Sequence, residues 1–453
     1  MQPLPKEFEE QMKRLLGEAG FFAYLDALNQ PYTRALRVNL LLRPDGTPPC
    51  PIEGLGAPVP WAKGAYFVEG DARPGLSPLH EGGLFYMQEP SALTAVTALD
   101  PQPGERVLDL CAAPGGKSTQ IAALMAGRGL LCCNEPIPIR AQILSRNIER
   151  MGVRNAVVLS AMPDALAPRF PAFFDRILVD APCSGEGMFR RQPEARDEWD
   201  ADAPRRCADR QMEILAQAAK MLRPGGTMVY STCTFNDTEN EDVLQRFLAL
   251  HPEFSLVPFA LPGLPEAKDG YLHLYPHEMR GEGHFVSRLK KADGADEADA
   301  PVQAAPQRKA PARAAAKGKA PAPIALPDVF SDAFAPERLY TAGDALWMLP
   351  EGISIERLSG LRVLRTGLLL AHAEGKRSEP DHALAMALRP EEAARTASLT
   401  QTQALAYQAG ETLSLGDLPG GYTLLCCEGV SLGWGKQAGG LMKNHYPKGL
   451  RRR

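Results

Sequence analysis

The sequence predicts an α/β fold: a parallel, doubly wound sheet, with a small mixed domain before it and β-rich modules after it. Three observations carry this. From Leu84 to Leu289, short apolar runs alternate with stretches of helical periodicity, the pattern of parallel strands joined by crossover helices. Inside that span, Val107–Thr119 reads as a buried strand broken at Pro114-Gly115-Gly116, with a helix starting near Ser118. Beyond it, Lys290 to Pro327 is rich in Ala, Pro, Lys and Asp, with almost no large apolar residue before Ile324. Such a composition cannot bury a core and is expected to form a flexible linker.

The elements follow in order. Residues 4–28 have helical periodicity, with Phe8, Met12, Leu15 and Leu16 on one side, and Arg34–Leu42 reads as a strand. These make a mixed N-terminal domain over residues 1–75, followed by the α/β domain over 76–290. Its strand candidates are Arg106–Leu110, Leu130–Asn134, Ala156–Ser160, Arg176–Asp180, Thr227–Cys233 and His284–Leu289. Ser118–Met125, Ile139–Met151 and Arg205–Leu222 are the helical stretches between the first five. After the linker, 291–327, strand character returns at Leu339–Leu349 and Leu361–Ala371, then from Gly420 to Lys436. Two compact β-rich modules are expected, over 328–390 and 391–453.

Composition excludes several classes. A chain of 453 residues is too long for one ordinary domain, and 45% hydrophobic with 23% charged residues is the balance of a globular protein. No run of about 18 apolar residues occurs, so no membrane span is expected. The N-terminus lacks the form of a signal peptide, and nine scattered cysteines without a Cys-x-x-Cys pair fit free thiols in a reducing compartment. The expectation is a cytoplasmic, monomeric protein without a metal site. The net charge of −4 alone argues against a polyanion partner. From Val430 onward, however, Lys436, Lys443, Lys448, Arg451, Arg452 and Arg453 stand against no Asp or Glu, with His445 and Tyr446 interleaved. That tail is a candidate nucleic-acid surface.

The chemistry-bearing residues lie at strand ends, where ligands of doubly wound sheets bind. Cys111-Ala112-Ala113-Pro114-Gly115-Gly116-Lys117 joins a strand to a helix N-terminus, a place where backbone N–H groups meet a nucleotide-like ligand. Neither Gly-x-x-x-x-Gly-Lys-Ser/Thr nor Gly-x-Gly-x-x-Gly is present, which disfavours ATP and NAD. Glu135 ends the next strand, 19 positions after Gly116, and is placed to hold ribose hydroxyls. The Arg176–Asp180 strand delivers Asp180, then Cys183. The Thr227–Cys233 strand delivers Cys233. A buried cysteine is usually a small core hydrophobe, but two at one sheet edge, one beside an aspartate, suggest nucleophilic chemistry. A thiolate adding to carbon 6 of a pyrimidine makes carbon 5 nucleophilic enough to accept a methyl group.

These stretches, with Tyr86-Met87-Gln88-Glu89-Pro90-Ser91-Ala92 and Arg280-Gly281-Glu282-Gly283-His284-Phe285, resemble the Nop/Sun family of S-adenosylmethionine-dependent RNA cytosine-5 methyltransferases. The resemblance implies a Rossmann-like methyltransferase core with S-adenosylmethionine as cofactor. It implies Cys233 as nucleophile, Cys183 as the cysteine assisting product release, and Asp180 between cofactor and base. Lys117 would line the catalytic pocket. Cys111–Lys117, Glu135, Arg140 and Asp180 would hold the cofactor. One departure stands out: where the family places an aspartate toward the adenine, this chain has Ala161 or Met162, with Asp164 two residues later. The C-terminal extension resembles the bacterial RsmF-type branch, which carries a PUA-like module and modifies 16S ribosomal RNA. RNA, as 16S rRNA or the small subunit, is therefore the expected partner. The same reaction on tRNA and a non-enzymatic assembly factor are the alternatives.

Overall fold

The computed structural model describes residues 3–294, 324, 326, 328–330, 336–374 and 377–452. Residues 295–323 of the expected linker lie outside the described residues.

The first helix, Lys6–Leu28, changes direction at Gly17, whose φ of +68 suits glycine. Its two halves bury Phe8 and Met12, then Phe21, Tyr24 and Leu28. Strands β1 (Arg34–Val38), β2 (Leu55–Pro58), β3 (Ala65–Val68) and β4 (Phe85–Gln88) form a sheet in the order β2-β3-β1-β4. The strand expected over Arg34–Leu42 stops at Val38 because Asn39 turns the chain: its Oδ1 accepts from Leu41 N at 3.1 Å and its amide donates to Gly83 O and Met151 O. Pairing of β4 with β1 carries this sheet past the boundary expected at residue 75.

The central sheet contains β5 (Arg106–Asp109), β6 (Leu130–Asn134), β7 (Ala156–Leu159), β8 (Phe174–Asp180) and β9 (Leu222–Thr232). These five run parallel, in the order β9-β8-β5-β6-β7. Helices Gly116–Leu124, Pro138–Arg150 and Ala203–Met221 begin within two residues of their expected starts. Outside this parallel core the edges run antiparallel. β10 (Phe254–Leu256) and β11 (Tyr271–Leu274) pair with β12 (His284–Lys291), which pairs with β9. The direction of the strands reverses there because no crossover helix separates β11 from β12.

The C-terminal part holds β13 (Leu339–Ala342), β14 (Ala345–Met348), β15 (Val363–Arg365), β16 (Leu368–Glu374) and β17 (Arg377–Pro380). It continues with β18 (Thr396–Ser398), β19 (Gly421–Cys427), β20 (Val430–Ala438) and β21 (Leu441–Asn444). The single strand expected over Leu361–Ala371 is two. β16 stays in the module sheet β13-β14-β16-β17, whereas β15 leaves it and adds antiparallel to β7 of the central sheet. The break is at Gly367, with φ +145, where a Cβ would meet Met348 O at 2.2 Å. Arg365, 4% exposed, pairs with Glu149 behind the new strand.

The last sheet, β18-β19-β20-β21, packs on the N-terminal domain. Leu36, Val38 and Phe85 share one apolar cluster with Leu425, Leu432, Met442 and Tyr446. Arg452 donates to Leu76 O at 2.6 Å and Ser77 O at 3.1 Å. This corrects part of the basic-tail expectation. Arg452 ties the C-terminal segment to the turn at Leu76–Ser77, and Tyr446, 3% exposed, is a core residue that offers no stacking face. Lys443 and Lys448 remain exposed. Among the described residues, no helix is long and apolar enough to cross a membrane, and no three metal-ligating side chains cluster.

Candidate active site

The strand order reverses between β5 and β8, and the candidate residues converge at the carboxyl ends flanking that switch point, as doubly wound sheets dictate. After β5, Ala112 N donates to Asn134 O at 2.8 Å, which draws the loop along β6. The Ala113–Pro114 peptide is cis. Pro114 O accepts from Asn147 Nδ2 at 2.9 Å, and Ala113 O from Arg140 Nη2 at 3.2 Å. Two glycines let this loop fit its neighbours. At Gly115 (φ +113) a Cβ would meet Leu144 and Asn147 at 3.2 and 3.3 Å, and at Gly116 it would meet Gln88 and Tyr86 at 3.3 Å. Below the loop, Asp109 is fully buried. Ser118 Oγ donates to its Oδ2 at 2.6 Å, while Oδ1 has no partner. Burial pushes its carboxyl up to about 7.

Glu135 sits at the end of β6, 2% exposed as a residue. Its Oε1 caps Ile137 N at 2.9 Å and its Oε2 lies 3.2 Å from Arg140 Nη1. Arg140 therefore joins Glu135 to the Ala113 carbonyl, linking the two halves of the candidate cofactor cradle. At the end of β7, Ala161 is fixed through its N–H and carbonyl by the Asn134 amide, at 3.1 and 3.0 Å. Met162 is 61% exposed, and Asp164 lies exposed in the next short helix. Ser160 N donates to Arg362 O at 2.9 Å, so the C-terminal module borders this corner, a contact with no sequence signal.

Lys117 links the cradle to a second cluster. Its Nζ lies 2.8 Å from Asp180 Oδ2. Ser231 Oγ donates to Asp180 Oδ1 at 2.9 Å, and His284 Nε2 lies 3.5 Å from the same oxygen without hydrogen-bond geometry. Burial pushes the Asp180 carboxyl up, but the Lys117 ammonium and His284 outweigh it and hold the group well below the usual carboxylate range. Burial likewise pushes Lys117 down, and the attraction of Asp180 outweighs it and raises the ammonium. The pair is ionised.

Cys183 Sγ and Cys233 Sγ stand 3.2 Å apart as free thiols, and Cys233 N donates to Cys183 Sγ at 3.4 Å. The contact with the Cys233 sulfur, followed by burial, pushes the Cys183 thiol well up, so Cys183 keeps its proton. The two loops are locked by buried polar groups that sequence reasoning missed. Glu239 accepts from Ser184 N at 3.0 Å, Gln211 Nε2 at 2.9 Å and Asn236 Nδ2 at 2.8 Å. Glu186 accepts from Phe235 N at 2.8 Å and Asn236 N at 3.1 Å. Gly187 N donates to Cys233 O at 2.8 Å, and a Cβ there would meet that oxygen at 3.0 Å. Glu186 lies three residues past Cys183 in the same loop, whereas Gln211, Asn236 and Glu239 follow no pattern.

The Tyr86–Ala92 and Arg280–Phe285 stretches meet. Glu89 Oε1 accepts from Glu282 N at 2.8 Å and Ser91 N at 3.0 Å. Arg190 grips the Glu282 carboxylate at 2.7 and 2.8 Å. This bidentate, nearly dry pair fixes the turn that carries His284 into the site. All the expected site residues thus fall into two adjoining clusters: Cys111–Lys117 with Glu135 and Arg140, and Lys117 with Asp180, Cys183 and Cys233.

Residues 96–290 match the family described as 16S rRNA methyltransferase RsmB/F. Residues 4–90 match the N-terminal domain of 16S rRNA methyltransferase RsmF, 327–388 the RsmF first C-terminal domain, and 394–452 the RsmF PUA domain. A methyltransferase homolog protein from Pyrococcus horikoshii is similar at 30% identity and TM-score 0.54, over 63% of this chain and 95% of that one. NSun6 from the same organism, solved with SFG, shares the fold at TM-score 0.55 and 22% identity, over 64% and 99%. Ribosomal RNA small subunit methyltransferase F of Erwinia tasmaniensis is 34% identical over 98% of this chain and 96% of its own length. That of Klebsiella pneumoniae is 34% identical over 98% and 96%. Similarity at this level along nearly the whole sequence shows that the chain belongs to the ribosomal RNA small subunit methyltransferase F family.

Proposed function

We propose that this chain methylates carbon 5 of a cytosine in 16S ribosomal RNA, using S-adenosylmethionine and a transient bond between Cys233 and the base. The observation that carries the reading is the free thiol pair Cys183–Cys233, 3.2 Å apart, at the same sheet edge as an Asp180 carboxylate held ionised by Lys117. A pyrimidine ring needs a soft nucleophile at carbon 6 to activate carbon 5, and thiolate is one. The base must leave its stack for this attack.

The cradle fits the cofactor. Gly115 and Gly116 leave room that a Cβ would narrow, Asp109 Oδ1 is buried without a partner, and the carboxylate of Glu135 stands one strand away as a ribose ligand. When bound, S-adenosylmethionine supplies a sulfonium methyl group. The protein's residues do the rest. Asp180 accepts from the exocyclic amino group, as acidic residues do with cytosine, and orients the ring. Lys117 holds Asp180 in place and lines the pocket. Cys233 Sγ adds to carbon 6. Cys183, protonated at rest and 3.2 Å from the Cys233 sulfur, assists departure of Cys233 as a hydrogen-bond donor to the leaving sulfur. At the adenine corner, the exposed Met162 and backbone at Ala161 take the place of the expected aspartate, with Asp164 beyond them.

The N-terminal domain and the PUA-like module, packed together, supply the RNA-binding surface, with Lys443 and Lys448 outermost. We read the enzyme as cytoplasmic and monomeric. Bisulfite sequencing of 16S ribosomal and transfer RNA, from cells with and without the protein, tests the reading. A 5-methylcytosine lost from 16S RNA supports it. A loss confined to transfer RNA, or none, overturns it.

A further inference from the structure

His284 opens β12. Phe285 pairs with Thr232, so His284 stands one register step beyond, level with Cys233. It is 3% exposed. Its Nε2 is buried, has no hydrogen-bond partner among the described residues, and lies 3.5 Å from Asp180 Oδ1. Buried polar nitrogens are nearly always satisfied, and an unsatisfied one at a reactive centre calls for a reason.

The charged groups facing it are Asp180 and Lys117 from the catalytic cluster and Glu89 from the turn behind. Cys233 is level with it on β9, and Leu274, its partner on β11, brings no charge. Ser231 already donates to the same Asp180 oxygen at 2.9 Å. Lys117 occupies the other oxygen at 2.8 Å. Each Asp180 oxygen keeps a further acceptor site, and His284 Nε2, 3.5 Å from Oδ1, can supply a donor there when it carries an N–H. The turn that delivers the imidazole is fixed by Glu89 and by the Arg190–Glu282 pair, so its approach is set in advance.

We propose that His284 is a positioning residue that relays a proton through Asp180 to N3 of the target cytosine. The inference rests on the cytosine-5 reading above. Once the Cys233 thiol has given its proton to water, its sulfur adds to carbon 6, and the ring electrons shift through carbon 5 and carbon 4 onto N3. The His284 imidazolium passes its Nε2 proton to the Asp180 carboxylate, which hands it on to N3 and is left ionised as before, with neutral imidazole behind it. Once carbon 5 carries the methyl group, N3 is cationic, and the same proton returns to Asp180 and then to His284. Carbon 5 then loses its own proton to water, the freed pair forms the carbon 5–carbon 6 double bond, and Cys233 leaves with the pair of the sulfur–carbon bond. Burial and the Lys117 charge pull the imidazole pKa down, which makes the imidazolium a stronger acid toward Asp180.

The test compares wild type with His284→Gln, which keeps a hydrogen-bond donor but cannot titrate, and with His284→Phe, which keeps the ring shape. Single-turnover methylation of 16S RNA in small subunits is measured between about pH 6 and pH 9. Binding of S-adenosylhomocysteine is measured by calorimetry. The ratio of wild-type to variant rates cancels every ionisation the proteins share. It is expected to be about tenfold at the acid end and to fall toward unity at the alkaline end, with cofactor affinity unchanged within about twofold. A ratio that is flat with pH, or a rate loss matched by a loss of cofactor affinity in both variants, overturns the relay. A wild type that places no 5-methylcytosine in the RNA overturns the underlying reading instead, whatever the variants do.

Discussion

Asp109→Asn is expected to make the enzyme less sensitive to alkali. Burial lifts the Asp109 carboxyl from 3.8 to about 7. A raised carboxyl contributes stability that is fully present below about pH 4, where it is protonated in both states, and that is lost as pH rises through about 7. With a shift of about three units, at 1.36 kcal/mol per unit, the whole effect is about 4 kcal/mol. Roughly half of it, about 2 kcal/mol, falls between about pH 5.5 and pH 8.5, because near the lower limit the unfolded chain is already ionised while the folded one is not. Asparagine keeps an oxygen for the Ser118 hydroxyl, which donates at 2.6 Å, and removes the ionisation. It also leaves an amide where Oδ1 has no partner, a cost that is the same at both pH values. The informative quantity is therefore the change in the variant-minus-wild-type difference with pH. By differential scanning calorimetry, that difference moves in favour of the variant by about 4–8 °C from the acid to the alkaline condition, given about 2–4 °C per kcal/mol for a domain of this size. A difference that is constant with pH would refute the argument, since burial would then not be raising this carboxyl.

Further outcomes follow from the geometry. Cys233→Ala abolishes methylation and leaves calorimetric binding of S-adenosylhomocysteine unchanged, whereas Cys183→Ala accumulates a covalent protein–RNA adduct on a denaturing gel; full turnover by either variant contradicts its role. Glu135→Ala removes the carboxylate that anchors Arg140 and that the proposed function assigns to the ribose, and is expected to weaken cofactor binding by about tenfold, roughly one charge-assisted hydrogen bond. Gly367→Ala forces a Cβ against Met348 O and costs about 3 kcal/mol or more, lowering the melting temperature and exposing β7 amides to hydrogen exchange as β15 detaches. Replacing Lys443 and Lys448 together with alanine lowers the slope of log affinity for RNA against log salt by about 1.4, the value for two single-strand phosphate contacts, while an unchanged slope removes them from the interface.

The parallel core was legible before the structure because each of its strands carries a self-contained signal. Val107–Leu110 and Ile177–Asp180 are apolar runs, each ending in a loop whose glycines and proline announce a turn. Local chemistry fixes such elements, and strand order then brings their ends together. The same locality made Cys111–Lys117, Asp180, Cys183 and Cys233 readable as one site. Glu135 was readable from spacing, and Arg140 came only with the family resemblance.

What escaped the sequence depends on partners far along the chain. Whether Val363–Arg365 joins its own module or the central sheet is decided by the open edge of β7 and by the backbone of Met348, which leaves no room for a side chain at residue 367. Arg452 reads as a tail charge until the carbonyls of Leu76 and Ser77 are beside it. Glu239, Asn236 and Gln211 look like ordinary polar residues until burial obliges each to find the others. His284 is one histidine among eight in the sequence. Only packing sets its Nε2, unpartnered, next to Asp180. Sequence by itself determined the elements and the reactive residue types, because those follow from periodicity and turn chemistry. Tertiary structure alone decided which edges were capped and which buried polar atoms were left to act, because desolvation and partnering are properties of residues brought together from distant parts of the chain.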